Sequence, residues 1–440
     1  SHQSLRPGIA QKRAHQRLRS GDRSTTRVAR PPLRSSSSSR FTRNRHRPRR
    51  HGRRRRVSGG ADLVRRRGAR GEEELLRRRV LDVFDQWGFD YIDPPLIEYL
   101  DALLVGSGED LDLQTLKVVD QISGRQLGVR ADMTSQAVRV DAHSVAVDGV
   151  QRLCYAGPVV FANPASPQTS RVQLKAGAEI FGAPSIDADV EVVGMMLEAL
   201  GVAQINTPVL LLGHMGIYRQ LVAELLKNGD LDPEHQAQLF NSVQRKAESD
   251  IRDLVGVTAL SDMMVALPTL MGQPDILSKA RQVLAGAPPI VLRKLDELAL
   301  FAERVSAHCA AEIRIDVAEL SGYGYHNGAV FAVYHPEHGR ALAQGGRYDG
   351  VGEAFGRARA ATGFDMNLKQ LLMSSNGQGK VIFAPLSAQQ ELHAAQREQV
   401  EALRASGSRV VNGLSEDEFA PSGCSHQLSY VDGQWQVVQI

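Results

Sequence analysis

The chain is poor in cysteine and contains no long apolar run. Its three cysteines, Cys154, Cys309 and Cys424, are far apart and show no metal-ligand spacing. They read as reduced thiols of a cytoplasmic protein, small core residues rather than nucleophiles. No uninterrupted apolar stretch reaches transmembrane length, which argues against a membrane span. No internal repeat is visible. Acidic residues are nearly missing from positions 1–70, where 23 Lys and Arg stand against Asp22 and Asp62 alone, a formal +21. The other 370 residues carry 30 basic and 47 acidic side chains, a formal −17. The net +4 therefore joins a very basic tail to an acidic body, and an acidic body argues against nonspecific nucleic-acid binding.

Residues 1–71 are rich in Arg and Ser, with a serine run at 35–39 and an arginine run at 53–56. Such a composition buries too little apolar surface to offset chain entropy, so disorder is expected. An electrostatic nucleic-acid arm, an organelle transit segment and a non-native extension all fit it, and the third is favoured because the pattern changes abruptly near Glu72.

From there, Leu76, Val80, Val83, Phe84 and Trp87 recur at helical spacing, which predicts a helix over 72–87 ended by Gly88. Pro94-Pro95 fixes a bend, and 106–112 reads as a polar loop. Strands are expected at 116–120, 126–130, 153–161 and 172–181, with a helix at 134–142 between. Residues 187–203 and most of 214–308 are helical in pattern, the second block reading as an inserted helical subdomain. Strands return at 313–317, 330–333 and 341–344, and a strand leading into a helix occupies 363–372. Residues 379–440 read as a short α/β tail domain. The mixture is an α+β pattern, and 440 residues suffice for two or three domains.

The stretch Gln344-Gly345-Gly346-Arg347-Tyr348-Asp349 carries the sharpest chemistry. Adjacent glycines let a backbone approach a ligand, or mark a tight turn or bulge. In a strand, Arg347 and Asp349 share one face and Tyr348 takes the other. The two charges also suit a mutual ion pair. Glu179 lies in an otherwise apolar strand, where an unpaired carboxylate is costly, so a partner or a ligand is expected. Asp132 precedes a helix and suits either a cap or a ligand contact. Tyr325 and Tyr348 suit the core as well as a pocket, and His326 suits a polar core or surface position better than a base.

Several segments in order resemble the histidyl-tRNA synthetase family over roughly 72–375. These are Val129–Thr134, Cys154–Val160, Gly177–Gly182, Gly322–Gly328, Gly345–Asp349 and Gly363-Phe364. The resemblance implies a class II synthetase-like antiparallel sheet flanked by helices. The family's arginines that handle ATP fall here on Phe161, Ser321 and Gln370. Holding a polyphosphate needs such cations, so adenylation is not expected. The amino-acid pocket is retained: the resemblance assigns histidine binding to Asp132, Thr134, Lys175, Glu179, Tyr325, His326, Gly345, Gly346, Arg347 and Tyr348. Lys175 stands where the synthetases carry glutamine, His326 where a tyrosine is common, and Gly324 where an acidic residue is usual. A pocket that keeps the amino acid and drops ATP resembles the regulatory subunits of ATP phosphoribosyltransferase, as do Asp110–Lys117, Arg130–Asp132 and Tyr348–Gly352. That family implies no catalytic residue, no cofactor and no metal. It implies a short-form catalytic subunit as partner, L-histidine as feedback effector of the first step of histidine biosynthesis, and a homodimer within a hetero-oligomer. A divergent histidyl-tRNA synthetase is the alternative.

Overall fold

The computed structural model describes residues 67–105, 109–145, 148–163, 170–320, 324–336, 338–374, 381–387, 389–415, 417–421 and 423–440, all within the unit Ser58–Ile440. The expected disordered tail lies outside the described residues up to position 66. From there the outcome differs, because the first helix begins at Arg67 and runs to Gln86. Arginine is a good helix former, and Arg78 pairs with Glu74 one turn back at 2.9 Å, so charge alone did not mark the boundary. Leu76, Val80, Val83 and Phe84 form the buried stripe. Gly88, at φ 78°, ends the helix: its N–H donates to Asp85 and that of Phe89 to Phe84, which satisfies two terminal carbonyls.

The main sheet has nine strands, in the order Asp90–Tyr91, Gln151–Val160, Val172–Phe181, Ala361–Asn367, Ala343–Arg347, Ala329–Tyr334, Val209–His214, Glu312–Asp316 and Met271–Gly272. The six strands from Gln151–Val160 to Val209–His214 are antiparallel, as expected. Towards the ends the rule breaks: Asp90–Tyr91 pairs in parallel with Gln151–Val160, and Glu312–Asp316 in parallel with Val209–His214, while Met271–Gly272 closes the sheet antiparallel. A smaller antiparallel sheet joins Ile97–Tyr99, Gln126–Val129 and Leu116–Val119. Of the loop expected at 106–112, residues 106–108 lie outside the described residues and the rest belongs to a helix from Glu109 to Gln114; Thr115 closes its end through N–H and Oγ1 bonds to the Leu111 carbonyl.

Side chains of a strand alternate between faces, and this divides the main sheet's labour. One face carries Cys154, Ala156, Ala178, Ile180, Phe331 and Phe364 into a core shared with the helices Arg67–Gln86, Ile186–Val202 and Pro289–His308. The helices between Met215 and His308, expected as an inserted subdomain, join that same core. Phe301 of the last one meets Phe331 of the sheet with ring centroids 6.3 Å apart. The other face carries Leu153 and Tyr155 into a second core with Met133, Val138 and Tyr348, and beside it Lys175 faces a cleft.

Residues 381–440 build a four-stranded sheet in the order Arg409–Asn412, Val381–Ala384, His426–Val431, Gln434–Gln439. The helix His393–Ala405 contributes Val400 to its own small core of Ile382, Ala384, Val410 and Leu428.

Candidate functional site

The open face of the sheet floors a cleft of about 790 Å³. Cross-strand register places Tyr155 opposite Gly177, Leu153 opposite Glu179, and Glu179 opposite Gly363. Glu179, 1% exposed, is the floor's polar centre. Its Oε1 accepts from the Tyr155 hydroxyl at 2.8 Å and its Oε2 from the Tyr348 hydroxyl at 2.6 Å. Thr134 Oγ1 extends the network to Tyr155 at 3.1 Å. The glycines make room for it. A Cβ at Gly363 would collide with the Glu179 carboxylate, and one at Gly177 would stand 2.7 Å from the Tyr155 ring. Burial pushes the Glu179 carboxyl up to about 8 against the pull of both tyrosine bonds, so near neutrality it is largely protonated. Burial, with Glu179 next to them, holds the hydroxyls of Tyr155 and Tyr348 well above their ordinary value.

Arg130 directly precedes the cleft residues Ala131 and Asp132. Its buried guanidinium donates to the Pro158 carbonyl at 2.9 Å and to the Pro94 carbonyl, tying the proline bend to the neighbouring strand. Gly157 is required beside it, because a Cβ there would strike that guanidinium. Two residues on, Asp132 Oδ2 accepts from the Thr134 N–H at 3.2 Å at the start of the helix Thr134–Arg139, and Asp132 also lines the cleft. Burial raises its carboxyl, while Lys175 pulls the other way. Lys175 lies on the floor with Nζ 2.8 Å from Asp365 Oδ2. Burial opposes its charge, but Asp365 and Asp132 outweigh that and hold the ammonium above its ordinary value.

A niche of about 20 Å³, the room of about one water molecule, adjoins the cleft and reaches Glu179. Thr134, Tyr325, Gln344, Tyr348 and Asp365 line both spaces. Tyr325 is 41% exposed, with its ring edge-on to Tyr348 at 5.8 Å. His326 is buried behind it, 4.2 Å from the Tyr325 ring centroid, and its carbonyl accepts from Arg219 at 3.1 Å.

Of the expected site residues, Gly346 and Arg347 line neither space, and Gly345 lines the niche through its backbone alone. Gly345 and Gly346 are strand residues, not a turn, paired with Phe331 and Val330. The missing Cβ of Gly346 faces the His326 ring at 3.1 Å, but that of Gly345 faces the Phe331 ring on the core side at 2.8 Å, so only its backbone borders the niche. Arg347, 8% exposed, follows Gly345 to the core side. Its guanidinium meets Asp189 Oδ2 at 2.9 and 3.0 Å, the carbonyls of Ala183 and Ser185, and Asp349 at 3.2 Å. It locks the sheet to the helix Ile186–Val202 and does not line the cleft. Alternation had already set it opposite Tyr348, and that period settles the matter.

The site also has members that the sequence reading passed over. Asp365 is one, and its signal was the one used for Glu179: a carboxylate in an apolar strand. Tyr155 and Gln344 are others. Phe161 and Gln370 do line the cleft, and Ser321 lies outside the described residues. Among the described lining residues the cations are Lys175, already paired, and the exposed Arg340. Among the described residues no group of His, Cys, Asp and Glu is arranged to hold a metal ion.

The antiparallel sheet with its glycine-walled carboxylate site defines a class II synthetase-like protein. The family model for histidyl-tRNA synthetase matches residues 62–371, and that for the ATP phosphoribosyltransferase subunit HisZ C-terminal domain matches 379–438. Among curated relatives, an ATP phosphoribosyltransferase regulatory subunit of Chromohalobacter salexigens is 46% identical, covering 83% of this chain and 93% of its own. One of Pseudomonas fluorescens is 43% identical over the same shares. Among solved structures, an ATP phosphoribosyltransferase regulatory subunit/histidyl-tRNA synthetase from Bacillus halodurans is 25% identical with a TM-score of 0.65, covering 78% of this chain and 89% of its own. Histidyl-tRNA synthetase from Nostoc, 14% identical with a TM-score of 0.65, shares the fold. The chain belongs to the ATP phosphoribosyltransferase regulatory subunit family.

Proposed function

We propose that the chain is the non-catalytic subunit of an ATP phosphoribosyltransferase, a glycosyltransferase complex, and that it senses L-histidine in the cleft. The observation that carries this reading is the pairing of a built amino-acid site with a wall unsuited to polyphosphate. Asp132, Lys175, Asp365 and Glu179 offer charged and polar groups to a small zwitterion, and Tyr325 and Tyr348 offer ring surfaces. Phe161 and Gln370 occupy the wall where bidentate cations would hold phosphates. The family membership supports the regulatory role.

In this reading residues 72–378 form the histidine-binding domain with its helical block at 214–308, and 379–440 a short C-terminal domain. The partner is a short-form catalytic subunit, joined to a homodimer of this chain in the cytoplasm. Of the described helices none is long and apolar enough to cross a membrane. Histidine acts as an allosteric effector only if it binds two states of the complex unequally. The test is twofold. Titration calorimetry is expected to show saturable histidine binding without added ATP, and histidine-dependent pyrophosphate exchange is expected to be undetectable. Exchange above background would overturn the reading in favour of a divergent synthetase.

A further inference from the structure

The floor of the cleft carries an ion pair between two neighbouring strands. Lys175 and Asp365 sit on adjacent strands, paired from Ala361 opposite Phe181 to Asn367 opposite Lys175, and their side chains meet across that pair on the cleft side. The lysine head carries three donors, and the bond to Asp365 at 2.8 Å uses one. Asp132, also on the cleft wall, forms no salt bridge among the described residues; its hydrogen bonds come from the backbone N–H groups of Met133 and Thr134. Three fixed charges therefore line one cleft: a paired anion, its cation with donors to spare, and an unpaired anion.

We propose that Lys175 is the carboxylate anchor of this site, positioned by Asp365 and facing the ammonium position that the amino-acid reading gives to Asp132. This deepens the amino-acid reading given above and rests on it. A zwitterion completes an alternating row: Asp365 carboxylate, Lys175 ammonium, ligand carboxylate, ligand ammonium, Asp132 carboxylate. No existing bond has to break, and every charge gains an opposite neighbour. A ligand that keeps the amine but lacks the carboxylate brings a second cation towards Lys175 with nothing between them. The site is thereby specific for free α-amino acids over their alcohol or decarboxylated counterparts. Asp365 acts through Lys175 by holding its head towards the cleft.

Titration calorimetry on the full chain with L-histidine and L-histidinol tests this. Wild type is expected to prefer histidine by about 10- to 100-fold, the range of one charged hydrogen-bonded contact. Lys175→Met is expected to remove most of that preference by weakening histidine while leaving histidinol unchanged or tighter. Lys175→Arg restores part of it, and Asp365→Asn reduces it. A wild type that binds both ligands equally overturns the proposal outright, even if no variant folds. So does a Lys175→Met variant that loses both ligands together, the mark of a merely structural lysine, or a Lys175→Gln variant that binds histidine more tightly, the mark of a lysine competing for the ammonium site. A wild type that binds neither ligand overturns the amino-acid reading itself, which separates the two failures.

Discussion

Replacing Glu179 by glutamine removes a titrating proton from the sheet while nearly keeping the side chain's shape. The carboxyl is displaced from 4.5 to about 8 by burial. At 1.36 kcal/mol per pH unit, that displacement is worth at most about 5 kcal/mol. The sign follows from proton counts. Below about pH 4.5 the carboxyl is protonated in both folded and unfolded chains, and its contribution is fully present. Between about 4.5 and 8 the unfolded chain releases the proton and the folded chain keeps it, so stability falls as pH rises. Above about 8 the loss is complete. Glutamine has no proton to lose and still offers both tyrosines a partner. Urea denaturation of wild type and Glu179→Gln at pH 5 and pH 8.5 is therefore expected to show the variant gaining several kcal/mol relative to wild type across that interval, other titrating groups cancelling in the difference. A difference that stays flat, or that moves the opposite way, would refute the assignment of a buried neutral carboxyl.

Three further outcomes follow from the same geometry. Gly363→Ala drives a methyl into the Glu179 carboxylate and, at 2.6 Å, against the Ala178 carbonyl; it should cost about 1–3 kcal/mol in thermal denaturation and weaken ligand binding as well. Arg347→Ala leaves Asp189 buried without its cation and should cost about 3–5 kcal/mol, while histidine affinity per folded molecule, measured by calorimetry, stays at the wild-type value. Asp132→Asn should weaken histidine binding about tenfold or more with little change in melting temperature, because the asparagine carbonyl still accepts from the Met133 and Thr134 backbone N–H groups at the helix start.

What the sequence made legible was largely local. The strand Val172–Phe181 and the helix Ile186–Val202 stand where periodicity put them, to within a residue. The glycine-rich motif borders the cleft and its niche, and the one carboxylate noted in an apolar strand stands at the polar centre of the floor. The failures have local causes as well. Composition hid the first turn of the Arg67–Gln86 helix because arginine serves disorder and helix alike. The six-residue helix at Glu109–Gln114 was too short to show a period. Long-range pairing was out of reach. Lys175 meets Asp365 across 190 residues of chain, and Glu179 meets Tyr348 across 169. The parallel partnership of Val209–His214 with Glu312–Asp316 spans the whole helical block and leaves no mark in either strand. Arg347 shows a subtler cost: its motif pointed to the ligand, whereas strand alternation pointed to the core, and geometry followed the alternation.

The central claim is that this chain lends a catalytic partner both activity and histidine sensitivity. Mixing it with the short-form ATP phosphoribosyltransferase catalytic subunit from the same source, and following phosphoribosyl-ATP formation with and without L-histidine, tests that claim most directly. Formation that requires the chain and falls as histidine is added is the predicted result. A catalytic subunit whose rate is the same with and without the chain would contradict the account.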